Sequence, residues 1–306
     1  MTLIPPATPT DLAKKLAVHL QHTYEQSAAA MQRDPVTAGV LGDDLAFAAQ
    51  GATKPRREAR EALVRLAHRW AALSWQNAAD HLVGMRALLT TDQPPTMAHF
   101  TLARTAIEGA ALTHWLCAPG DPAEVRMCRA VVFGIEDQNQ ALKIARLHDD
   151  GVEDYQALRA LLERYAHHSD IVPTTPGKWG KVTMNGHSGT AFQGTIRAGD
   201  VVEMGESAYR ILCGTTHSQP WRLEQALLLD ASGAGMRLRL DWELLTVVVN
   251  HATEALTAAT LPLCDYLGIP ADNLDQRQRT RSAGLYDLYH RVLVRNGLPH
   301  ETEAIR

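Results

Sequence analysis

Apolar residues recur along this chain at the three- and four-residue spacing of helices, and sustained two-residue alternation is almost absent. The spacing predicts helices over about 10–32, 55–89, 96–117, 122–148, 153–168, 240–266 and 271–295, with another from about 206. In the segment 99–117 the only fully charged residues are Arg104 and Glu108. A helix that is apolar nearly all round belongs at the centre of a fold. The sequence therefore predicts an all-α protein, a multi-helix bundle of about eight helices.

The segment at about 171–205 interrupts this pattern, because Pro, Gly and Thr occur throughout it and its periodicity is weak. It is predicted to be an irregular insertion, although the turn residues Met184-Asn185-Gly186 would also suit a short hairpin. A long irregular segment in a compact domain is either a lid over a binding site or a passive surface excursion. Since no repeat or domain-separating linker is present, residues 1–306 are predicted to form a single domain.

Net charge argues against one class of partner. The chain carries a formal charge of −4, whereas proteins that hold duplex DNA usually have a strong basic excess that neutralises phosphates. The basic run Lys54, Arg56, Arg57 and Arg60 is interpreted as the solvated start of a helix. We therefore expect no duplex DNA partner.

The lack of signal-peptide features and the spacing of the cysteines favour a cytoplasmic location. The first residues lack the charged and apolar regions of a signal peptide, and the most apolar segment, 244–263, contains too many polar residues for a membrane span. The four cysteines are widely separated and form no CxxC pair, so neither a disulfide framework nor a zinc site is predicted. We expect a cytoplasmic protein without membrane partners.

The first candidate site is the pair Arg104 and Glu108. Residues four apart share one face of a helix, and two charges on a central helix are costly to bury unless they are paired or functional. The pair is either an internal ion pair that fixes the helix or the polar centre of a ligand-binding cavity.

The second candidate is Arg210 with His217, seven residues later. Two helical turns would bring both side chains to one face. Arginine stabilises developing negative charge and histidine transfers protons near neutral pH. The pair would suit metal-independent cleavage of RNA by its own 2′-hydroxyl group, with both residues catalytic.

The third candidate is His251 with Glu254, which lie one turn apart next to Asn250 on an otherwise apolar helix. They could bind a ligand or orient another group, and the alternative is a core histidine whose hydrogen bonds are satisfied. No Glu-x-x-His pair, phosphate-binding loop or dinucleotide fingerprint is present. No metal or cofactor is therefore predicted.

Two groups of residues carry a family resemblance. The first is Thr101, Leu102, Arg104, Glu108, Trp115, Leu116, Arg126 and Arg129, and the second is Tyr209, Arg210, Leu212, His217 and Pro220. About half of the chain resembles a group of uncharacterised, mostly actinobacterial helical proteins that share these patterns. That group is distantly similar to HEPN-type helical bundles, whose active members are dimeric, metal-independent ribonucleases with an Arg-x(4–6)-His motif. The resemblance implies an all-helical fold, a homodimer, catalytic roles for Arg210 and His217, and a ligand contact for Tyr209.

Three functions follow from these residues. The first is a HEPN-like protein that cleaves or binds RNA. The second is a protein or enzyme that binds a small molecule through a buried Arg/Glu/His site. The third is a non-catalytic interaction protein whose buried polar residues serve only folding.

Overall fold

The computed structural model describes residues 9–148, 150–203, 205–219 and 240–293, together with residue 224 and two short strands at 227–229 and 236–238. Pro220 of the family pattern lies outside these residues. The predicted all-α class is confirmed, because helices make up most of the described chain. They are α1 (Pro9–Met31), α2 (Gly39–Ala49), α3 (Lys54–Leu89), α4 (Ala98–Leu116), α5 (Ala123–His148), α6 (Val152–His168), α7 (Gly194–Arg197), α8 (Gly205–Thr216), α9 (Trp242–Leu267) and α10 (Leu274–Leu293).

Helix α4 lies at the centre, as its apolar composition predicts, and packs against α3 and α9. Gly109 brings α3 close, since a Cβ at that position would lie 2.8 Å from the Ser74 carbonyl oxygen. One turn later the Thr113 hydroxyl donates to the Ala71 carbonyl at 3.1 Å, across the same contact. Small residues therefore set the distance between α3 and α4.

Helices α9 and α10 form an antiparallel pair on one side of this core. Asp241 begins α9 by accepting a hydrogen bond from the Leu244 amide at 2.8 Å. Gly268 ends the helix in the left-handed conformation, with φ of 69°. The chain then turns back, so that Thr253 in α9 meets Gln278 in α10 at 2.8 Å.

The segment 171–205 differs from the expected irregular insertion. It contains a three-stranded antiparallel sheet of β1 (Val172–Thr175), β2 (Lys178–Met184) and β3 (His187–Thr190), followed by α7. The turn between β2 and β3 is Asn185-Gly186, with φ values of 50° and 84°, which is the left-handed geometry that closes tight hairpins. The expectation of irregular structure is thus corrected, and the hairpin at 184–186 is present.

The sheet covers α5 because its inner residues are apolar. Val182 and Met184 are buried in a second core with Met127 and Ile135 of α5. Gly189 comes so close to α5 that a Cβ there would lie 2.8 Å from the Cys128 carbonyl carbon. The strands are therefore fixed against a helix.

One helix among the described residues, α9, is long and apolar enough to cross a membrane. Two thirds of its most apolar stretch (67%) is buried inside the fold. Burial of this kind is typical of the core helix of a water-soluble protein.

Candidate functional site

A cleft of about 610 Å³ opens between α9 and α10. Small side chains face each other there, since α9 contributes Ala258 and α10 contributes Ser282 and Ala283. Neither helix fills the space between them, and Val201 and Glu203, just before α8, line one side. The volume lies in the range of small-molecule sites.

The cleft contains a buried polar group that lacks a partner. Asn250 is only 8% exposed as a residue, and its side-chain Oδ1 has no hydrogen-bond partner. Buried polar atoms in native proteins are nearly always satisfied by protein, water or ligand. A donor supplied from within the cleft would satisfy this acceptor.

His251 and Glu254, both predicted as ligand contacts, line the same cleft. Their closest approach is 3.5 Å, between His251 Nδ1 and Glu254 Oε2. This distance is too long for a hydrogen bond, and His251 Nδ1 has no other hydrogen-bond partner. The pair is a loose electrostatic contact, so both groups keep hydrogen-bonding capacity for a ligand.

The charge lining the cleft is negative. Arg279, the only arginine or lysine among the described lining residues, is held by Asp275 at 2.7 Å. The carboxylates of Glu203 and Glu254 are therefore not balanced by a lining arginine or lysine. Burial raises the pKa of Tyr286, Glu254 and Glu203 raise it further, and a hydrogen bond with Asn250 acts in the opposite direction. Both glutamates and Tyr286 line the same cleft.

Below the cleft, a hydrogen-bond network joins three helices. Gln278 is buried and donates to the Thr253 hydroxyl at 2.8 Å, while the Thr23 hydroxyl donates to Gln278 Oε1 at 3.0 Å. His19 Nε2 lies 2.9 Å from the same Thr253 hydroxyl. These contacts tie α1, α9 and α10 together.

Arg104, Glu108 and Tyr209 come together at a second place, between α4 and α8. Arg104 Nη2 donates to the Tyr209 hydroxyl at 3.0 Å and lies 3.2 Å from Glu108 Oε2. Its Nε donates to Cys213 Sγ at 3.2 Å. Gly194 of α7 covers this cluster, because a Cβ there would lie 3.0 Å from the Tyr209 hydroxyl oxygen. The sequence pattern thus identified residues that do meet in space.

The donors of Arg104 are largely used within this second cluster. Burial lowers the pKa of Arg104, but the Cys213 hydrogen bond and the Glu108 charge outweigh it and raise the pKa overall. Burial, followed by the Glu108 charge, raises the pKa of Tyr209. Such a cluster joins α4 to α8 and leaves little capacity for an added ligand.

Arg210 and His217 lie away from both places. The Arg210 side chain is 68% exposed and donates to Glu206 Oε1 at 2.8 and 3.1 Å. His217 is exposed and follows the last residue of α8, with its backbone amide donating to the Cys213 carbonyl at 2.9 Å. The two side chains are accessible but do not line a described cleft.

Two arginines of the family pattern are structural. Arg126 forms a doubly hydrogen-bonded pair with Asp44 at 2.6 and 2.7 Å, where both side chains are buried. Arg129 pairs with Asp121 at 2.6 Å and lies over the ring of Trp115. These contacts fix α5 against α2 and the end of α4.

Sequence reasoning missed Glu203, Gln278 and Tyr286. Glu203 comes from a loop without periodicity, so no local signal places it. Gln278, Ser282 and Tyr286 recur every four residues along α10, and this spacing would have indicated a polar stripe on one helix face.

No group of three or more His, Cys, Asp or Glu side chains in the described part of the chain is arranged to hold a metal ion. No protein-family model, curated protein or solved structure matches the chain. The geometry of the cleft is therefore the basis for assigning a function.

Proposed function

We propose that this protein binds a small molecule in the cleft between α9 and α10. The observation that carries the proposal is Asn250, a buried residue that lines the cleft and whose Oδ1 has no hydrogen-bond partner. A buried acceptor left unsatisfied costs roughly 1–3 kcal/mol. A bound ligand with a donor at this position would recover that free energy.

The neighbours of Asn250 support a ligand site in preference to a packing defect. His251 and Glu254 lie within one turn and keep free hydrogen-bonding capacity, and Tyr286 adds an aromatic wall. Convergent polar groups in a concave site with apolar walls are typical of small-molecule pockets. The hydrogen-bond network below them keeps these groups in place without a ligand.

A thermal-shift screen tests this proposal. A library of cationic, anionic and neutral metabolites is screened against the unchanged protein, Ala283→Trp and Ala160→Trp. The first variant fills the cleft, whereas the second makes the same exchange on the exposed surface of α6. A ligand at a hundred times its Kd stabilises a protein by about 2.7 kcal/mol, which corresponds to a rise in Tm of roughly 5 °C.

We expect at least one compound to stabilise the unchanged protein and Ala160→Trp but not Ala283→Trp. Compounds that stabilise Ala283→Trp equally well would place the ligand elsewhere. A library that stabilises none of the three proteins would contradict the proposal and favour the interaction-protein hypothesis.

RNA cleavage by Arg210 and His217 is the second candidate, favoured by one observation. Arg210 is exposed in the middle of α8 and His217 is exposed just after its last residue, so a polynucleotide could reach both side chains. Against this candidate, the guanidinium of Arg210 already donates two hydrogen bonds to Glu206 Oε1. Cleavage of a fluorogenic RNA without metal, lost in His217→Ala and kept in exposed His187→Ala, would support it. The homodimer belongs to this second candidate, whereas the cytoplasmic location is a separate proposal from the sequence.

A further inference from the structure

The cleft between α9 and α10 carries an uncompensated negative charge. Glu203 approaches from the segment before α8 and Glu254 from α9, and both act electrostatically on Tyr286. The nearby Asp275 is already neutralised by Arg279 at 2.7 Å. The two remaining carboxylates face a shared space without a lining lysine or arginine among the described residues.

Among the neutral polar residues that line the cleft, Asn250 has an acceptor without a partner. Asn250 Oδ1 is unpartnered, and the residue as a whole is more than nine tenths buried. Carboxylates and an amide oxygen accept hydrogen bonds and donate none. A complementary ligand is therefore rich in donors and positively charged, whereas phosphates and carboxylic acids would be repelled.

The remaining walls suit a short hydrocarbon chain. Ala258, Leu261 and Ala283 present apolar surface, and the Tyr286 ring is partly exposed. An aromatic face attracts an organic cation as well as methylene groups. Apolar and aromatic walls supply no ligands for a metal ion. The described residues also contain no group of three or more His, Cys, Asp or Glu side chains that could hold one.

We propose that the ligand of this cleft is a small aliphatic ammonium compound, an amine or diamine, held between Glu203 and Glu254 and beside Asn250. The inference rests on the proposed function and names the ligand class. Aliphatic amines are protonated near pH 7, as the lysine side chain is. A diamine places one ammonium group near each carboxylate.

Calorimetric titration with three compounds of equal chain length tests whether the cleft selects a positively charged ligand. The probes are 1,4-diaminobutane, neutral 1,4-butanediol and anionic butanedioate, each at about 20 and 150 mM salt. We expect the diamine to bind at least tenfold more tightly than the diol, and butanedioate not to bind. Added salt should weaken the binding of the diamine, because screening reduces the attraction between partly exposed charges. Equal affinity for diamine and diol, or tighter binding of butanedioate, would overturn the inference.

Three isosteric variants locate the carboxylates. Glu254→Gln and Glu203→Gln each remove one charge from the cleft, whereas Glu243→Gln removes an exposed carboxylate at the start of α9 that does not line it. We expect each cleft variant to lower the affinity for the diamine by about three- to tenfold. The control variant should leave this affinity unchanged. An equal effect of Glu243→Gln would mean that only the overall charge of the protein matters.

Failure of this inference is distinguishable from failure of the proposed function. If a neutral or anionic compound from the screen is blocked by Ala283→Trp while the diamine does not bind, the cleft is a ligand site of another class. If the diamine binds Ala283→Trp as well as the unchanged protein, its site lies outside the cleft and this inference is contradicted, while the screen still decides whether the cleft binds another compound.

Discussion

Lowering the pH from 7 to 5 should destabilise this protein by about 4 kcal/mol, because two histidines are buried in their neutral form. His19 is 3% exposed and burial lowers its pKa to about 3, with the charge of Arg281 acting in the same direction. His99 is fully buried and burial lowers its pKa to about 4. Neither ring accepts a proton in the folded protein at pH 5.

The sign follows from the two states. In the unfolded chain a histidine has a pKa of about 6.5, so below that pH the unfolded state takes up protons that the folded state does not. The stability is fully present above about pH 6.5 and is lost progressively as the pH falls toward the folded values. Each pH unit in this window costs about 1.4 kcal/mol per histidine, which gives about 2 kcal/mol for each histidine at pH 5.

Urea unfolding at pH 7 and pH 5 measures this difference. His19→Gln keeps a polar group that can reach the Thr253 hydroxyl but does not titrate, so the loss between the two pH values should shrink by about 2 kcal/mol. Ser27→Ala is the matched control, because it changes a buried polar group on α1 without removing a titratable one. An equally large pH-dependent loss in His19→Gln would refute the reasoning.

Two further predictions concern the fold that supports the cleft. Asp44→Asn should lower the free energy of unfolding by about 3–5 kcal/mol, because it leaves the charge of the buried Arg126 uncompensated. The control is Asp43→Asn at the exposed neighbouring position. In the same denaturation assay it should change the free energy of unfolding by less than about 0.5 kcal/mol. Gly39→Ala should cost more than about 3 kcal/mol, since φ is +59° and a Cβ would overlap the backbone that follows α9. Gly120→Ala, with φ of +78° and open space around it, should cost only about 1–2 kcal/mol, and equal costs for the two glycines would contradict the packing argument.

The long helices could be predicted because their apolar faces repeat over many turns. The predicted helix at 55–89 is observed as α3 (Lys54–Leu89), with Thr53 as its cap. Helix α2 was not predicted, since Gly39 and Gly42 in a short segment are typical of a loop. Its formation depends on tertiary packing: Gly39 fits against the chain after α9. The sheet in 171–205 depends in the same way on burial of Val182 and Met184 against α5.

The candidate sites were predictable only where the residues share a helix. Spacing along α9 was enough to single out His251 and Glu254, and spacing along α4 was enough for Arg104 and Glu108. Glu203 reaches the cleft from a separate segment, and periodicity cannot predict a meeting between distant segments. The partnership of Asp44 with Arg126 was beyond sequence reasoning for the same reason.

The most direct test of the central claim is an NMR titration that follows the Asn250 side-chain amide while 1,4-diaminobutane is added. The signal is assigned by its loss in Asn250→Ala. If the cleft is the ligand site, this amide and the backbone amides of His251 and Glu254 should shift saturably with one common Kd, and the shifts should vanish in Ala283→Trp. Shifts that map to another surface, or an Asn250 amide that stays fixed while the diamine binds, would contradict the claim.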